Sequence, residues 1–205
     1  MELKILTYNI HKGFNWNNSK LTIKALREEL KIQAPDLIFL QEVVGENKKL
    51  EQKLDNWISG QTDFLAQDIW PNKAFSLHAI YDHRNHGNVI LSKYPIEKYE
   101  VIDISLNPLE KRAILFAEIR VKKKVIHAYC TNLNLLHRDR MKQYEKIYHI
   151  LRKKSYRKES IILAGDFNDW NQKASEKIIK FNGLTEAYKD IHGDYAKPFP
   201  SFFPF

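Results

Sequence analysis

Two short segments of the chain are almost wholly apolar, DLIFL at 36–40 and IILAG at 161–165. Such segments are typical of β-strands with both faces covered, in a sheet that lies between other layers. Ahead of the first, another strand is predicted at 3–8, and apolar residues recur at helical spacing over 23–30 until Pro35 ends the helix. This strand, helix, strand order predicts an α/β fold.

The rest of the chain continues the alternation of strands and helices. Further strands are predicted at 75–81, 89–92, 99–104, 113–121 and 125–130. Several are joined by short connections, which favour antiparallel neighbours. Met141, Tyr144, Tyr148 and Leu151 mark one face of a second long helix. Together these patterns predict two packed mixed sheets flanked by helices.

Length and composition indicate one domain over 1–205. A chain of 205 residues with 43% apolar residues can bury one sizeable core and is short for two. No run approaches the roughly 18 apolar residues of a membrane helix, and the N-terminus lacks a signal-peptide pattern, so we expect a cytoplasmic protein. The single cysteine, Cys130, lies in an apolar run and is expected to be a buried structural thiol. Nothing in the sequence indicates an oligomeric state.

The net charge of +8 favours an anionic partner: a nucleic acid, a phosphorylated small molecule or an acidic membrane surface. Much of the excess lies in one segment, which contains Arg152, Lys153, Lys154, Arg157 and Lys158. This segment is predicted either to bind phosphate or to form a solvated helix end whose cations suit the helix dipole.

Three of the apolar strands are followed by side chains that bind metals or phosphates. These are Asn9, then Gln41 with Glu42, and finally Asp166 with Asn168. Ligands gather beyond the carboxyl ends of parallel strands, so we expect these residues to share one cleft. Ordinary turn chemistry explains any one of them, but three together favour a site.

The donor types indicate which metal this site would hold. Glu42 and Asp166 offer hard oxygen ligands, which with asparagine side chains suit Mg²⁺ or Mn²⁺ better than zinc. A carboxylate beside such an ion can orient or deprotonate a water. The amides of Asn9 and Asn168 can hold phosphate oxygens.

Four segments of the chain then resemble a known family. They are TYNIHKGF at 7–14, DLIFLQEV at 36–43, HGNVILSKYPI at 86–96 and AGDFNDW at 164–170. In this order they resemble the endonuclease/exonuclease/phosphatase superfamily and, within it, the YbhP-like bacterial branch. The resemblance implies a four-layer α/β sandwich. It also implies a phosphoesterase that uses Mg²⁺ or Mn²⁺ and acts on a phosphate ester of DNA, RNA or a lipid headgroup.

The resemblance also assigns roles to individual residues. It implies that Glu42 and Asn9 bind the metal, and that Asn9 also contacts the substrate. It implies that Asp166 positions the nucleophilic water and that the neighbouring Asn168 binds the reacting phosphate. His11 lies where abasic-site enzymes carry an acidic residue, so it is predicted to touch phosphate or metal, with a structural imidazole as the alternative.

Two more residues are predicted to contact substrate. By resemblance, Asn88 lines the cleft, although an asparagine just before a strand also suits a turn. Arg112 is predicted to contact phosphate, although an arginine can equally solubilise an edge strand.

The chain departs from the family pattern first at TNL, residues 131–133. Relatives read THL or VHL there, and their histidine is thought to act as an acid or to stabilise the transition state. Asn132 is predicted to act as a catalytic residue that holds phosphate by donating a hydrogen bond. It exchanges no proton near neutral pH, so a general-acid contribution of about 10²- to 10⁴-fold would be lost. His137, at the start of the next helix, is a weak substitute.

The second departure concerns FPSFFPF at 199–205. In the family such a segment leads into a strand with an aspartate, and later into a Ser-Asp-His motif whose Asp-His pair activates water. We therefore expect a chain without its C-terminal strands and with impaired activity. The alternative is an inactive protein that keeps the fold and binds a phosphate ester or a nucleic acid.

Overall fold

A computed structural model of the chain describes residues 2–81, 84–108, 110–154, 160–169 and 183–195. In these ranges the strands are β1 (Ile5–Asn9), β2 (Leu37–Asn47), β3 (Asn72–Tyr81), β4 (Arg84–Ser92), β5 (Ile96–Asp103), β6 (Ala113–Val121), β7 (Lys124–Asn132) and β8 (Ser160–Asp166). The helices are α1 (Ile23–Gln33), α2 (Lys48–Lys53), α3 (Gln61–Ala66), α4 (His137–Lys154) and α5 (Ala187–His192). None of the described helices is long and apolar enough to span a bilayer.

The strands form two mixed sheets. In the first, the order is β1-β2-β4-β3, with β1 and β2 parallel and the other neighbours antiparallel. In the second, the order is β5-β6-β7-β8, with only β7 and β8 parallel. The parallel pairs place the carboxyl ends of β1 and β2 together, and those of β7 and β8 together.

The core lies on both faces of the first sheet. Between the sheets, Phe39 and Ile90 pack with Leu115 and Ala128 of the second sheet. On the opposite face, Ile38, Leu40 and Leu91 pack against side chains of α1 and α3, such as Leu30 and Leu65. The predicted α/β class, with two packed mixed sheets flanked by helices, is confirmed.

The described residues form two compact units. One contains those of 1–132 and 158–166, with both sheets, and the other those of 133–157 and 167–205. In the second unit, α4 buries Tyr144, Ile147 and Leu151 along one face, which confirms the helix predicted there. The aromatic segment 199–205 lies outside the described residues, as do Arg157 and Lys158.

One boundary was predicted wrongly, and it bears on the site. The strand expected at 36–40 runs on to Asn47 as β2, so Gln41 and Glu42 lie within the strand. A register shift explains the error: Leu40 pairs with Val89, but Val43 already pairs with Gly87. Gln41 and Glu42 together face one residue of β4, which is a β-bulge, and the polar pair at the bulge resembled a strand end.

Candidate active site

Three of the predicted site residues meet at the ends of the two sheets. Asn9 is the last residue of β1 and Asp166 the last of β8. The Asn9 amide nitrogen Nδ2 lies 3.2 Å from Oε1 of Glu42 and 3.0 Å from Oδ2 of Asp166, and donates to both. One amide therefore holds two carboxylates, one from each sheet, although the three residues are far apart in sequence.

The other atom of the Asn9 amide fixes its orientation. Oδ1 accepts a hydrogen bond from the backbone N–H of His11 at 2.9 Å, so the nitrogen, and not the oxygen, faces the carboxylates. In this orientation Asn9 acts as a donor. Its predicted role as a metal ligand would require its oxygen and stays a prediction.

The backbone of Glu42 is strained. Its φ is 56°, in the left-handed region that non-glycine residues adopt at a cost of about 1–3 kcal/mol. The bulge in β2 imposes this conformation and turns the carboxylate toward Asn9 and Asp166. Strain of this kind is concentrated at functional sites, where the surrounding structure stabilises it.

Two basic side chains surround the carboxylate of Glu42. Lys12 Nζ lies 3.4 Å and His11 Nδ1 lies 3.9 Å from Glu42 Oε2. Burial alone would raise the pKa of Glu42, but the charge of Lys12, the hydrogen bond from Asn9 and the charge of His11 outweigh it and lower that pKa. Glu42 is therefore ionised at neutral pH. Its Oε2 is buried, and Lys12 is the nearer of the two basic groups around it.

Lys12 was absent from the predicted site. It follows Asn9 in a tight left-handed turn, with φ of 48° at His11, 59° at Lys12 and 86° at Gly13. The signal that could have revealed it is the short segment His-Lys-Gly directly after a strand-terminal asparagine, where the glycine permits a turn that returns the lysine toward the strand end.

Asn132 lies directly beside Asp166. It is the last residue of β7, pairs in register with Asp166 of β8, and is only 4% exposed. The position at which the family pattern has a histidine is thus next to a carboxylate of the site. Its predicted catalytic role stays a prediction.

The two predicted substrate-binding residues outside this group are engaged elsewhere. Asn88 is buried, and its Nδ2 donates to the carbonyls of Ala113 and Cys130 at 3.0 and 3.3 Å. The Arg112 guanidinium binds the carboxylate of Glu110 at 2.8 Å. The structure thus gives each a structural contact, and their contacts with substrate stay predictions.

Asn168 belongs to the second unit, where it supports a loop. Its Nδ2 donates to the carbonyl of Leu133 at 2.8 Å. The same loop is held by Gln143 of α4, which accepts from the Asn134 N–H and donates to Oδ1 of Asn134 at 2.9 and 3.0 Å. Arg140 of α4 donates to the carbonyl of Leu135. These hydrogen bonds from α4 to the loop were not predicted from the sequence. Their signal was the presence of two polar residues, Arg140 and Gln143, on the apolar face of the helix.

Cys130 is a buried free thiol, as predicted. Burial raises its pKa to about 12, which outweighs the hydrogen bond from Nε2 of Gln41. A thiol that stays protonated at neutral pH is a poor nucleophile. Cys130 therefore has a structural role in the hydrophobic core.

The oxygen donors fit a hard divalent cation. Glu42 and Asp166 share one amide donor, and Oε2 of Glu42 is buried and lies near the Lys12 ammonium. Mg²⁺ is bound through one or two carboxylates and keeps several waters, so it requires no larger set. Among the described residues no group of three or more His, Cys, Asp or Glu side chains forms a protein-only cage.

Comparisons with known proteins agree with this fold. The model of the Endonuclease/Exonuclease/phosphatase family matches residues 6–200. The protein YbhP of Escherichia coli K12 is 36% identical over 204 residues, which are 98% of this chain and 80% of YbhP.

Solved structures share the fold at lower identity. An endonuclease/exonuclease/phosphatase from Beutenbergia cavernae has a TM-score of 0.68 at 20% identity, over 82% of this chain and 48% of that one. Sphingomyelinase C from Streptomyces griseocarneus has a TM-score of 0.64 at 19% identity, over 90% and 71%. TDP2 from Caenorhabditis elegans has a TM-score of 0.59 at 20% identity, over 82% and 48%. The chain thus spans about half the length of the first and third of these.

The family match covers most of the sequence, and the matched range contains Asn9, Glu42 and Asp166. The chain belongs to the endonuclease/exonuclease/phosphatase family.

Proposed function

We propose that the protein is a divalent-metal-dependent phosphoesterase that hydrolyses a phosphodiester of the nucleic-acid or phospholipid type. The observation that carries the proposal is the single amide of Asn9 that holds the carboxylates of Glu42 and Asp166 together. Two carboxylates that share one amide donor offer the oxygen ligands that a hard divalent cation takes. Family membership supports the same reaction class.

Each residue of the site has a separate role in the proposed hydrolysis. Glu42 and Asp166 would hold the ion, which when bound supplies charge neutralisation at the phosphate oxygens. Asp166 is the base that orients the attacking water. Lys12 supplies positive charge beside Glu42, 3.4 Å from its Oε2, and attracts the anionic phosphate. Asn9 keeps both carboxylates in place by donating to each.

An aryl phosphodiester such as bis(4-nitrophenyl) phosphate tests the proposal. We expect hydrolysis that requires Mg²⁺ or Mn²⁺, stops with chelator, and falls about 100-fold or more in Glu42→Gln. The matched control is Glu46→Gln, because Glu46 lies four residues further along β2 with an exposed side chain. Equal rates for Glu42→Gln and wild type, or full activity in chelator, would rule out this function.

A second candidate follows from Asn132, which lies beside Asp166 in the sheet. Without an acid at this position the protein could bind a phosphate ester and not cleave it. The variant Asn132→His separates the two: a wild-type rate above background that rises about tenfold or more in the variant supports a slow enzyme. Activity that is present only in Asn132→His supports the binding protein.

A further inference from the structure

A buried glutamine in α3 connects the two segments that carry Lys12 and Glu42. Gln61 is fully buried. Its Oε1 accepts from the N–H of Val44 at 2.9 Å, and its Nε2 donates to the carbonyl of Lys12 at 3.0 Å. Both polar atoms of the Gln61 amide therefore form hydrogen bonds with backbone groups, one on β2 and one on the turn after β1.

The edge of β2 explains why a side chain is needed there. β1 pairs with β2 only as far as Gln41, while β2 continues to Asn47. Among the described residues no strand pairs with that side of β2 beyond Gln41, and buried backbone donors must be satisfied. Gln61 satisfies Val44, and the N–H of Gly60 donates to the carbonyl of Gly45 at 2.9 Å. The start of α3 thus takes the place of a strand.

The turn after β1 has a glycine, Gly13, at the point where the Gln61 amide approaches it. A Cβ on Gly13 would lie 2.8 Å from Nε2 of Gln61, closer than ordinary contact. Glycine at this position lets the amide approach the Lys12 carbonyl. The bond fixes a turn whose His11 and Lys12 both have left-handed φ, a conformation that costs free energy on its own.

Gln61 therefore fixes both partners of the Lys12–Glu42 ion pair without touching either charged group. Val44 follows the strained Glu42 by two residues, and the Lys12 ammonium lies 3.4 Å from Glu42 Oε2. We propose that Gln61 is a positioning residue, which sets the Lys12 turn against the Glu42 bulge and so defines the cation site. The cation site itself rests on the proposed function.

The test compares two buried side chains that form hydrogen bonds near opposite ends of β2, Gln61 with two bonds and Trp70 with one. Gln61→Met keeps the volume of the side chain and removes both bonds. The control is Trp70→Phe, which removes the bond from Nε1 of the buried Trp70 to the carbonyl of Pro35 at 2.8 Å, two residues before β2 begins. Both variants should lower the melting temperature, by roughly 3–8 °C. Only Gln61→Met should disturb the site.

Two readouts distinguish positioning from general stability. Mn²⁺ binding, followed by the electron paramagnetic resonance of the free ion, should weaken at least tenfold in Gln61→Met and stay within twofold in Trp70→Phe. Without metal, NMR should show faster exchange of the Val44 amide and loss of nuclear Overhauser contacts between Lys12 and Glu42 in Gln61→Met alone. A folded Gln61→Met with wild-type Mn²⁺ affinity and intact Lys12–Glu42 contacts would overturn the proposal.

A second variant covers the case in which Gln61→Met does not fold. Gln61→Asn keeps the amide on a stem one methylene shorter, which reaches one partner but not both, and should give the same changes in smaller measure. If the wild-type protein binds no Mn²⁺, the proposed function fails. The nuclear Overhauser contacts between Lys12 and Glu42, measured without metal, then still decide whether Gln61 is a positioning residue.

Discussion

The charge state of Glu42 depends on Lys12. The lowered pKa of Glu42 means that its ionised form is favoured in the folded protein. The resulting stability is present above the ordinary pKa of 4.5 and is lost as the pH falls through the lower folded value. In Lys12→Met, the positive charge that counteracts the effect of burial on Glu42 is lost. The pKa of Glu42 should therefore rise, and the stability that comes from its ionised form should decrease.

We therefore predict that metal-free Lys12→Met is less stable than wild type at pH 7, by about 0.5–1 kcal/mol. The figure is small because Lys12 is 42% exposed and solvent screens the pair. Urea denaturation in chelator at pH 7 and at pH 3.5 measures it, and the difference should decrease at the lower pH. Lys24→Met, at an exposed position on α1, is the control. A difference that grows as the pH falls would contradict the prediction.

Residues of the site differ in how far the sequence could predict them. Asn9, Glu42 and Asp166 follow apolar segments of a known pattern, so their convergence was predictable. Lys12 and Gln61 gave no such signal, because their roles come from a left-handed turn and from the unpaired edge of β2. The role of Gln61 depends on how distant segments pair, which local sequence does not specify, whereas the turn that carries Lys12 is marked only by Gly13.

At the scale of elements, the contact between β7 and β8 positions Asp166. Thr131 pairs with Gly165 and Asn132 pairs with Asp166. A Cβ on Gly165 would lie 2.0 Å from the Thr131 carbonyl oxygen, so only glycine permits the close approach of the two strands at this point. The geometry of the carboxylate therefore depends on the residue before it.

We predict that Gly165→Ala destabilises the protein by about 3 kcal/mol or more, because the backbone of β8 must move. The control is Gly193→Ala. Gly193 has a φ of 79°, but a Cβ there would have no atom within 4 Å, so the change should cost only about 1–2 kcal/mol of backbone strain. Urea denaturation followed by circular dichroism compares them. Similar losses in the two variants would show that backbone strain, and not the contact with Thr131, decides the effect.

The elements themselves were largely predictable, and their ends less so. Strands β2 and β8 were recognised from their apolar segments, and α4 from its periodic apolar face. The extension of β2 to Asn47 was not, because the bulge at Gln41 and Glu42 shifts the register and interrupts the apolar run. A bulge follows from how two strands pair, so it is specified by the sheet rather than by the segment.

For the whole molecule, the net charge of +8 bears on which phosphodiester the proposed enzyme would bind. A polyanion such as duplex DNA gains from counterion release when cationic groups contact its phosphates. A zwitterionic headgroup such as that of sphingomyelin has no net charge to attract. The overall charge thus favours a nucleic acid over a neutral membrane surface.

We predict salt-sensitive binding of duplex DNA by Glu42→Gln, the variant chosen so that the DNA is not cleaved. A plot of the logarithm of the association constant against that of the salt concentration should have a slope of about −0.9 for each phosphate contacted. Four or more contacts would give about −3.6 or steeper. Vesicles of sphingomyelin and phosphatidylcholine, measured in parallel by co-sedimentation, should bind weakly at every salt concentration. Tight vesicle binding with a DNA slope near zero would instead assign the site to a lipid headgroup, because the attraction would then not depend on the charge of the protein.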